Sequence, residues 1–351
     1  MTVGPVASAN QSILNTLAMI RFLFQFTLAF VLSITAFAAD AVFSRDGDSV
    51  IFLPRTEESI DHLCRVDLKT NAVEKIPLTL PKGESIRSLA CGAEGETFLL
   101  TSEAVYIFDK KGTRRLCEVG DVKEVNDLAT VPPREDLDMA DWLIVTGSDR
   151  NIPSDGRSFY ARKPGTKSFV SVFSRRILKV GAGAFSPEGR YFFQADNALW
   201  EGHFGWGADE GDPSLTAVIV APLAYCDSSI SNTGAFTVGD SVAVAGNGVF
   251  VVLSGRHGDD RLLRVTMPSE PPAANGTDSG ATLAEYYSMQ AKTLSSVKVL
   301  EENVDIESLA ATVVKGEERV FYIVNATRNM QLMLWSSRSG KSRAIGEPLH
   351  E

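Results

Sequence analysis

Histidine and cysteine are scarce in this sequence, four of each in 351 residues, and neither is arranged for chemistry. Cys64, Cys91, Cys117 and Cys226 form no CxxC pair and no zinc-like spacing. His62, His203, His257 and His350 are scattered. The HExxH, GxGxxG and P-loop patterns and the G-x-S-x-G elbow of hydrolases are all missing. Positive charge is also in deficit: 34 Lys and Arg stand against 44 Asp and Glu, a net charge of −10. Such a surface repels phosphate backbones. Arg175-Arg176 and Lys110-Lys111-Gly112-Thr113-Arg114-Arg115 are too short to offset it, so nucleic acid is not an expected partner. No long Pro- or Ser-rich tract interrupts a composition of 44% hydrophobic and 22% charged residues, which can bury a core.

The one long apolar run covers residues 22–39, FLFQFTLAFVLSITAFAA, preceded by Arg21 and ended by Ala36-Phe37-Ala38. A positive residue, an apolar stretch and a small-residue A-x-A site are the order of a secretory signal. A start at Met19 gives a signal of ordinary length and makes residues 1–18 an extension. The alternative is an uncleaved anchor, because 18 residues just span a hydrocarbon core. Cleavage is the preferred reading, since Ala36, Ala38 and Ala39 suit a peptidase and no positive cluster follows. Removal of residues 1–39, whose only charge is Arg21, leaves −11. The expected mature chain is periplasmic or secreted, without stable membrane insertion. In an oxidising compartment four cysteines permit two disulfides in three connectivities, or serve as small buried hydrophobes.

Laid against itself, the remainder repeats. Phe43-Ser44-Arg45-Asp46-Gly47 is matched 142 residues later by Phe185-Ser186-Pro187-Glu188-Gly189, and a weaker copy, Cys91-Gly92-Ala93-Glu94-Gly95, lies 48 after the first. Gly248 and Gly316 continue the series of turn glycines. Each turn precedes a run rich in aromatic and β-branched residues, such as Val50-Ile51-Phe52-Leu53, Tyr191-Phe192-Phe193 and Val320-Phe321-Tyr322-Ile323, which read as strands. Trp142-Leu143-Ile144-Val145 supplies a sixth, its turn replaced by Pro132-Pro133-Arg134-Glu135-Asp136. A further strand follows in every unit. Four of these end in hairpin signals: Lys69-Thr70-Asn71, Lys111-Gly112, Pro164-Gly165 and Ser339-Gly340. A last strand closes each unit, for example Val73-Glu74-Lys75-Ile76 and Phe169-Val170-Ser171-Val172-Phe173.

Four antiparallel strands recurring every ~45 residues mark propeller blades, because one such sheet cannot bury both faces alone. The expected fold is all-β: a six-bladed β-propeller of four-stranded antiparallel blades spanning residues 40–351. The blades fall at approximately 40–80, 85–120, 124–175, 180–224, 238–300 and 304–347. A seven-bladed ring is the alternative and requires dividing the fifth unit, where residues 268–291 read instead as a loop insertion ending in one short helix.

The segments Phe43-Ser44-x-Asp46-Gly47 before Val50-Ile51-Phe52, and Phe185-Ser186-Pro187-Glu188-Gly189 before Tyr191-Phe192-Phe193, resemble WD40-like repeats of the PD40 type. These occur in TolB-type propellers and in those of prolyl-oligopeptidase-like enzymes. The resemblance rests on the first and fourth units, with Cys64-Arg65-Val66-Asp67-Leu68 in support, and implies the fold rather than a function. TolB-like proteins carry an α/β domain before the propeller, whereas here the first blade follows the expected cleavage site. The oligopeptidases carry a hydrolase domain, for which no residues remain.

Propellers place ligands where loops converge on the central channel. Two long polar loops, residues 148–157 and 254–261, are therefore the expected site. In them Arg150 and Arg256 are candidate carboxylate clamps, Asp149, Asp259 and Asp260 candidate acceptors, and His257 lies beside them. The structural counter-reading is a pair of solvated hairpin tips. Trp206, in the Gly-rich stretch around Phe204-Gly205-Trp206-Gly207, is a candidate stacking platform, whereas Trp142, Trp200 and Trp335 lie in strands and are expected in the core. Without a catalytic motif, metal set or cofactor motif, the expected function is a scaffold for a protein or peptide partner. The alternative is a metal-dependent hydrolase or lactonase-like enzyme, in which single channel residues from several blades hold a divalent cation such as calcium.

Overall fold

The structure, a computed structural model, describes residues 41–54, 62–92, 94–149, 158–174, 180–195, 198–206, 213–221, 236–255, 260–267, 297–326 and 329–350. All belong to the unit Ala38–Glu351. The expected signal, the expected helix within 268–291 and Cys226 lie outside the described residues. Among the described residues no helix is long and apolar enough to cross a membrane.

Six sheets follow one another along the chain. The first holds β1 (Ala41–Phe43), β2 (Ser49–Phe52), β3 (His62–Asp67) and β4 (Val73–Pro77). The second holds β5 (Ile86–Cys91), β6 (Thr97–Thr101), β7 (Ala104–Asp109) and β8 (Gly112–Glu118). The third holds β9 (Val122–Thr130), β10 (Leu143–Asp149), β11 (Ser158–Arg162) and β12 (Val170–Ser171). After β13 (Phe173–Ser174) come β14 (Val180–Phe185), β15 (Tyr191–Ala195), β16 (Ala198–Trp206) and β17 (Pro213–Ala221). The fifth holds β18 (Phe236–Ala245), β19 (Gly248–Gly255), β20 (Asp260–Thr266) and β21 (Val297–Val304). The sixth holds β22 (Ile306–Val314), β23 (Glu317–Ala326), β24 (Asn329–Ser336) and β25 (Lys341–His350). The first strands β1, β5, β9, β14, β18 and β22 touch in ring order and β22 closes onto β1, so the protein is a six-bladed β-propeller.

The repeated motif has a local cause. In the first blade the Ser44 hydroxyl donates to the Asp46 carboxylate (2.7 Å) and accepts from the Ser49 amide (2.9 Å). Asp46 also accepts from the Asp48 amide (3.0 Å), while Gly47, at φ +69°, sends its N–H to the Ser44 carbonyl (2.8 Å). The fourth blade keeps part of this turn through Ser186, whose hydroxyl accepts from the Arg190 amide (3.2 Å) and whose carbonyl takes the Gly189 N–H (2.9 Å), with Gly189 at φ +80°. Both glycines also meet the preceding blade: a Cβ on Gly47 would lie 2.3 Å from Val314 Cγ2, and one on Gly189 2.5 Å from Leu137 Cδ1. Thus F-S-x-[DE]-G encodes a left-handed turn and a close approach between neighbours. In the fifth blade the left-handed glycine is Gly246 (φ +56°), two residues before the expected Gly248, because the hairpin pairs Ala245 with Gly248 and needs positive φ at its first central residue.

One expected strand is divided. Residues 169–173 read as a single closing strand, yet Val170–Ser171 pair with β11, the Val172 amide still donates to the Phe159 carbonyl of the third blade (2.9 Å), and Phe173–Ser174 run parallel to β17 of the fourth. Val172 between them is 2% exposed and packs into the cluster shared by both blades, which turns the chain across the gap. The extra strand covers the outer edge of the fourth sheet, protecting its unpaired backbone groups.

Aromatic and branched side chains fill the spaces between blades. Between the third and fourth, Phe159 meets the rings of Tyr191 and Phe193 edge-on at 5.8 and 5.0 Å. Between the sixth and first, Phe321 lies 5.7 Å from Phe52, with Leu63, Leu332 and Ile345 fully buried around them. Trp142 and Trp335 are buried as expected, and the half-buried Trp200 donates its indole N–H to the Ala195 carbonyl (2.8 Å). Two bidentate ion pairs are enclosed, Arg190 on Glu201 (2.6 and 2.7 Å) and Arg264 on Glu318 (2.8 and 2.8 Å), the second joining the fifth and sixth blades.

Candidate binding site in the central channel

Each inner strand ends its sheet, so one row of its N–H and C=O groups is unpaired within the sheet and borders the axis. Six such edges enclose a cavity of about 850 Å³ that reaches the turns joining first to second strands. Convergence of six strands demands small side chains, and the wall carries Ala90, Ala129, Ala184, Ala243 and Ala311. The wall therefore offers backbone donors and acceptors separated by small apolar surface. At the turns, lining charges are Arg45, Glu94, Glu96 and Asp141, beside Pro132 and Pro133. Burial, and then the nearby Glu96, push the thiol of the wall residue Cys91 above its usual range. Cys91 and Cys117 are free thiols.

One carboxylate is set into the wall. Asp127, 8% exposed on β9, accepts from the Ser88 hydroxyl of β5 (3.0 Å) and the Gly183 amide of β14 (2.8 Å). Ser88 Oγ in turn accepts from the Leu128 amide (3.1 Å). Three successive blades are thereby pinned at the channel. All five bordering strands from β5 to β22 lose regular register in this region, which frees backbone groups for such bonds. Burial of the Tyr191 ring, and then the charge on Asp127, raise the Tyr191 hydroxyl well above its usual range. Among the described residues no three His, Cys, Asp or Glu side chains converge as a metal set.

The residues singled out from sequence are dispersed differently. Arg150, Arg256, His257 and Asp259 lie outside the described residues. Asp149 ends β10 opposite Val122, and Trp206 ends β16 opposite Pro213. Asp260 opens β20 at 5% exposure, and its carboxylate accepts from the Ile306 amide of the next blade (3.0 Å), a second inter-blade pin. Sequence reasoning passed over Asp127. Its one signal was an acid inside the apolar run Val125-Asn126-Asp127-Leu128-Ala129, a position where a carboxylate is costly unless bonded.

The architecture is that of solved propellers with little sequence in common. A chain of a nidogen–laminin complex superposes with a TM-score of 0.51 at 11% identity, covering 89% of this chain and 94% of that one. A calcium-binding protein, regucalcin, from Agrobacterium tumefaciens str. C58 does so with a TM-score of 0.51 at 12% identity, covering 91% and 92%. Neither a protein-family model nor a curated protein matches the sequence. At these identities the likeness establishes the six-bladed β-propeller fold and nothing narrower.

Proposed function

We propose that this protein is an exported, non-catalytic scaffold that holds an extended segment of a protein or peptide partner at the channel end bordered by Arg45, Glu94 and Asp141. The observation that carries the reading is the cavity of about 850 Å³ walled by the unpaired edges of six strands. A free edge recognises main chain through its N–H and C=O groups, and small wall residues leave room for alternate side chains. The wall's own carboxylate, Asp127, is committed to Ser88 and Gly183. Three acids against one arginine at the turns favour a segment carrying Lys or Arg. The nidogen–laminin complex is a case in which a chain of this fold meets a protein partner. Export follows from the signal-like residues 22–39, and predicts a mature N-terminus at Asp40 on sequencing of the secreted chain.

Native pull-down with the mature chain tests the binding, compared with Ala184→Trp and Ala311→Trp, which place indoles on half-buried wall positions. A partner retained by wild type and lost from both folded variants is expected. Recovery of nothing above background, or equal recovery from the plugged variants, overturns the reading.

A further inference from the structure

A second cavity, of about 580 Å³, lies at the seam where the sixth blade meets the first. Its floor is apolar, formed by the buried Leu68 and Leu334. Its walls bring together five cations, Lys69, Lys315, Arg319, Arg338 and Arg343, and three acids, Asp46, Asp48 and Glu317. In a chain of net charge −10 this is a local surplus of positive charge.

The acids are already engaged. Asp46 accepts from the Ser44 hydroxyl and the Asp48 amide within its own turn. Asp48 pairs with Lys69 (2.5 Å), and Glu317 takes Arg319 (3.3 Å) and the Ser336 hydroxyl. Ser336 is the main cause holding the Glu317 carboxyl below its usual range, with Arg319 and then Arg338 adding to it. Among the described residues Lys315, Arg338 and Arg343 have no carboxylate within ion-pair distance. Arg343 reaches only neutral oxygens, Asn71 Oδ1 and the Leu68 carbonyl, at 3.5 and 3.4 Å. Three exposed cations lining one groove repel one another, and guanidinium forks match the geometry of carboxylate or phosphate oxygens. The volume lies in the range of small-molecule sites, about 300–1,000 Å³.

We propose that this seam groove binds a small organic dianion, a phosphate monoester or a dicarboxylate, clamped by Arg338, Arg343 and Lys315. The site is separate from the channel and independent of what the channel holds. Because its walls come from both ends of the ring, the ligand also ties the sixth blade to the first, and occupancy raises the melting temperature by mass action.

The test titrates the mature full chain with inorganic phosphate, methyl phosphate and succinate, each against sodium chloride at matched ionic strength. Melting temperature is read alongside equilibrium dialysis of radiolabelled phosphate and succinate. Arg338→Gln/Arg343→Gln is compared with Lys110→Gln/Lys111→Gln, which removes the same charge from an exposed hairpin outside the groove. A saturable rise with at least one dianion is expected, weakened roughly tenfold or more in the arginine variant and retained in the lysine variant. A response to the phosphates alone identifies a phosphate site, and one to succinate alone a dicarboxylate site. No saturable response beyond chloride, or an unchanged response in the arginine variant, overturns the proposal.

Discussion

Asp127 shows what a single polar residue does in a wall of small apolar ones. Its two oxygens face donors on different blades, the Ser88 hydroxyl and the Gly183 amide. Asp127→Ala would strand both donors in a buried setting. It is expected to cost about 2–6 kcal/mol, because each unsatisfied buried group costs roughly 1–3 kcal/mol. Ser88→Ala strands a comparable pair, the Leu128 amide and one Asp127 oxygen, and should cost a similar amount. Urea unfolding of both single variants and the double variant checks the coupling: the double loss should fall short of the sum by roughly 0.5–3 kcal/mol, and strict additivity would refute the pinning role. The neighbouring Gly183 is constrained by space: a Cβ there would fall 2.2 Å from the Tyr191 hydroxyl oxygen, so the amide and the ring are packed as one unit.

At the level of elements, the recurring turn separates backbone conformation from packing. Gly47 and Gly316 both sit at positive φ, +69° and +77°, but only Gly47 has Val314 in the path of a Cβ, while Gly316 faces open space. Gly316→Ala should therefore cost about 1–2 kcal/mol for the left-handed conformation alone. Gly47→Ala should add an overpacking cost of roughly 1–3 kcal/mol. Equal losses in thermal or urea unfolding would remove the claim that the motif glycine serves the blade contact. The adjoining groove gives a pH prediction. The Glu317 carboxyl is held below its usual 4.5 by Ser336, Arg319 and Arg338, so its stabilising contribution is fully present above that value and fades as pH falls through the lowered one. Glu317→Gln should flatten the acid limb of the stability curve below about pH 4.5 and leave its slope near neutrality unchanged; an unaltered acid limb would count against the assignment.

These elements also show what was legible in the chain. The strands and turns were, because each blade carries short runs of aromatic and β-branched residues and marks its hairpins with residues suited to positive φ. Asn71 (+59°), Gly112 (+96°), Gly165 (+81°) and Gly340 (+66°) all adopt it. The crossing of β13 onto the fourth blade was not legible, since Phe169-Val170-Ser171-Val172-Phe173 reads as one strand and only the burial of Val172 between two sheets divides it. The channel was hidden for a different reason: its chemistry lies in the backbone edges of six distant strands, which no side-chain pattern records. Asp260 was legible as a polar residue of interest but not as a pin, because its partner, the Ile306 amide, lies 46 residues away.

For the molecule as a whole, the decisive feature is how the ring closes. Among the described residues every blade takes its four main strands from one continuous stretch of chain, and no strand is exchanged between the first and last blades. Closure falls to side chains: the Phe52–Phe321 contact at 5.7 Å, the surrounding Leu63, Leu332 and Ile345, and the Arg343 bonds to Asn71 and Leu68. If the ring unfolds as one cooperative unit, loss of either seam ring should destabilise it as severely as loss of a ring elsewhere in the core. Phe52→Ala, Phe321→Ala and the fifth-blade control Phe250→Ala should each cost about 3–5 kcal/mol. Because Phe52 and Phe321 share a contact, the double variant should lose less than the sum of the singles by roughly 0.5–3 kcal/mol, whereas Phe52 combined with Phe250 should be nearly additive. Urea unfolding followed by both tryptophan fluorescence and circular dichroism measures the cycle and its cooperativity together. Separate transitions at the two probes in the seam variants, or strict additivity of the seam pair, would mean that the terminal blades melt independently and that closure contributes little to the fold.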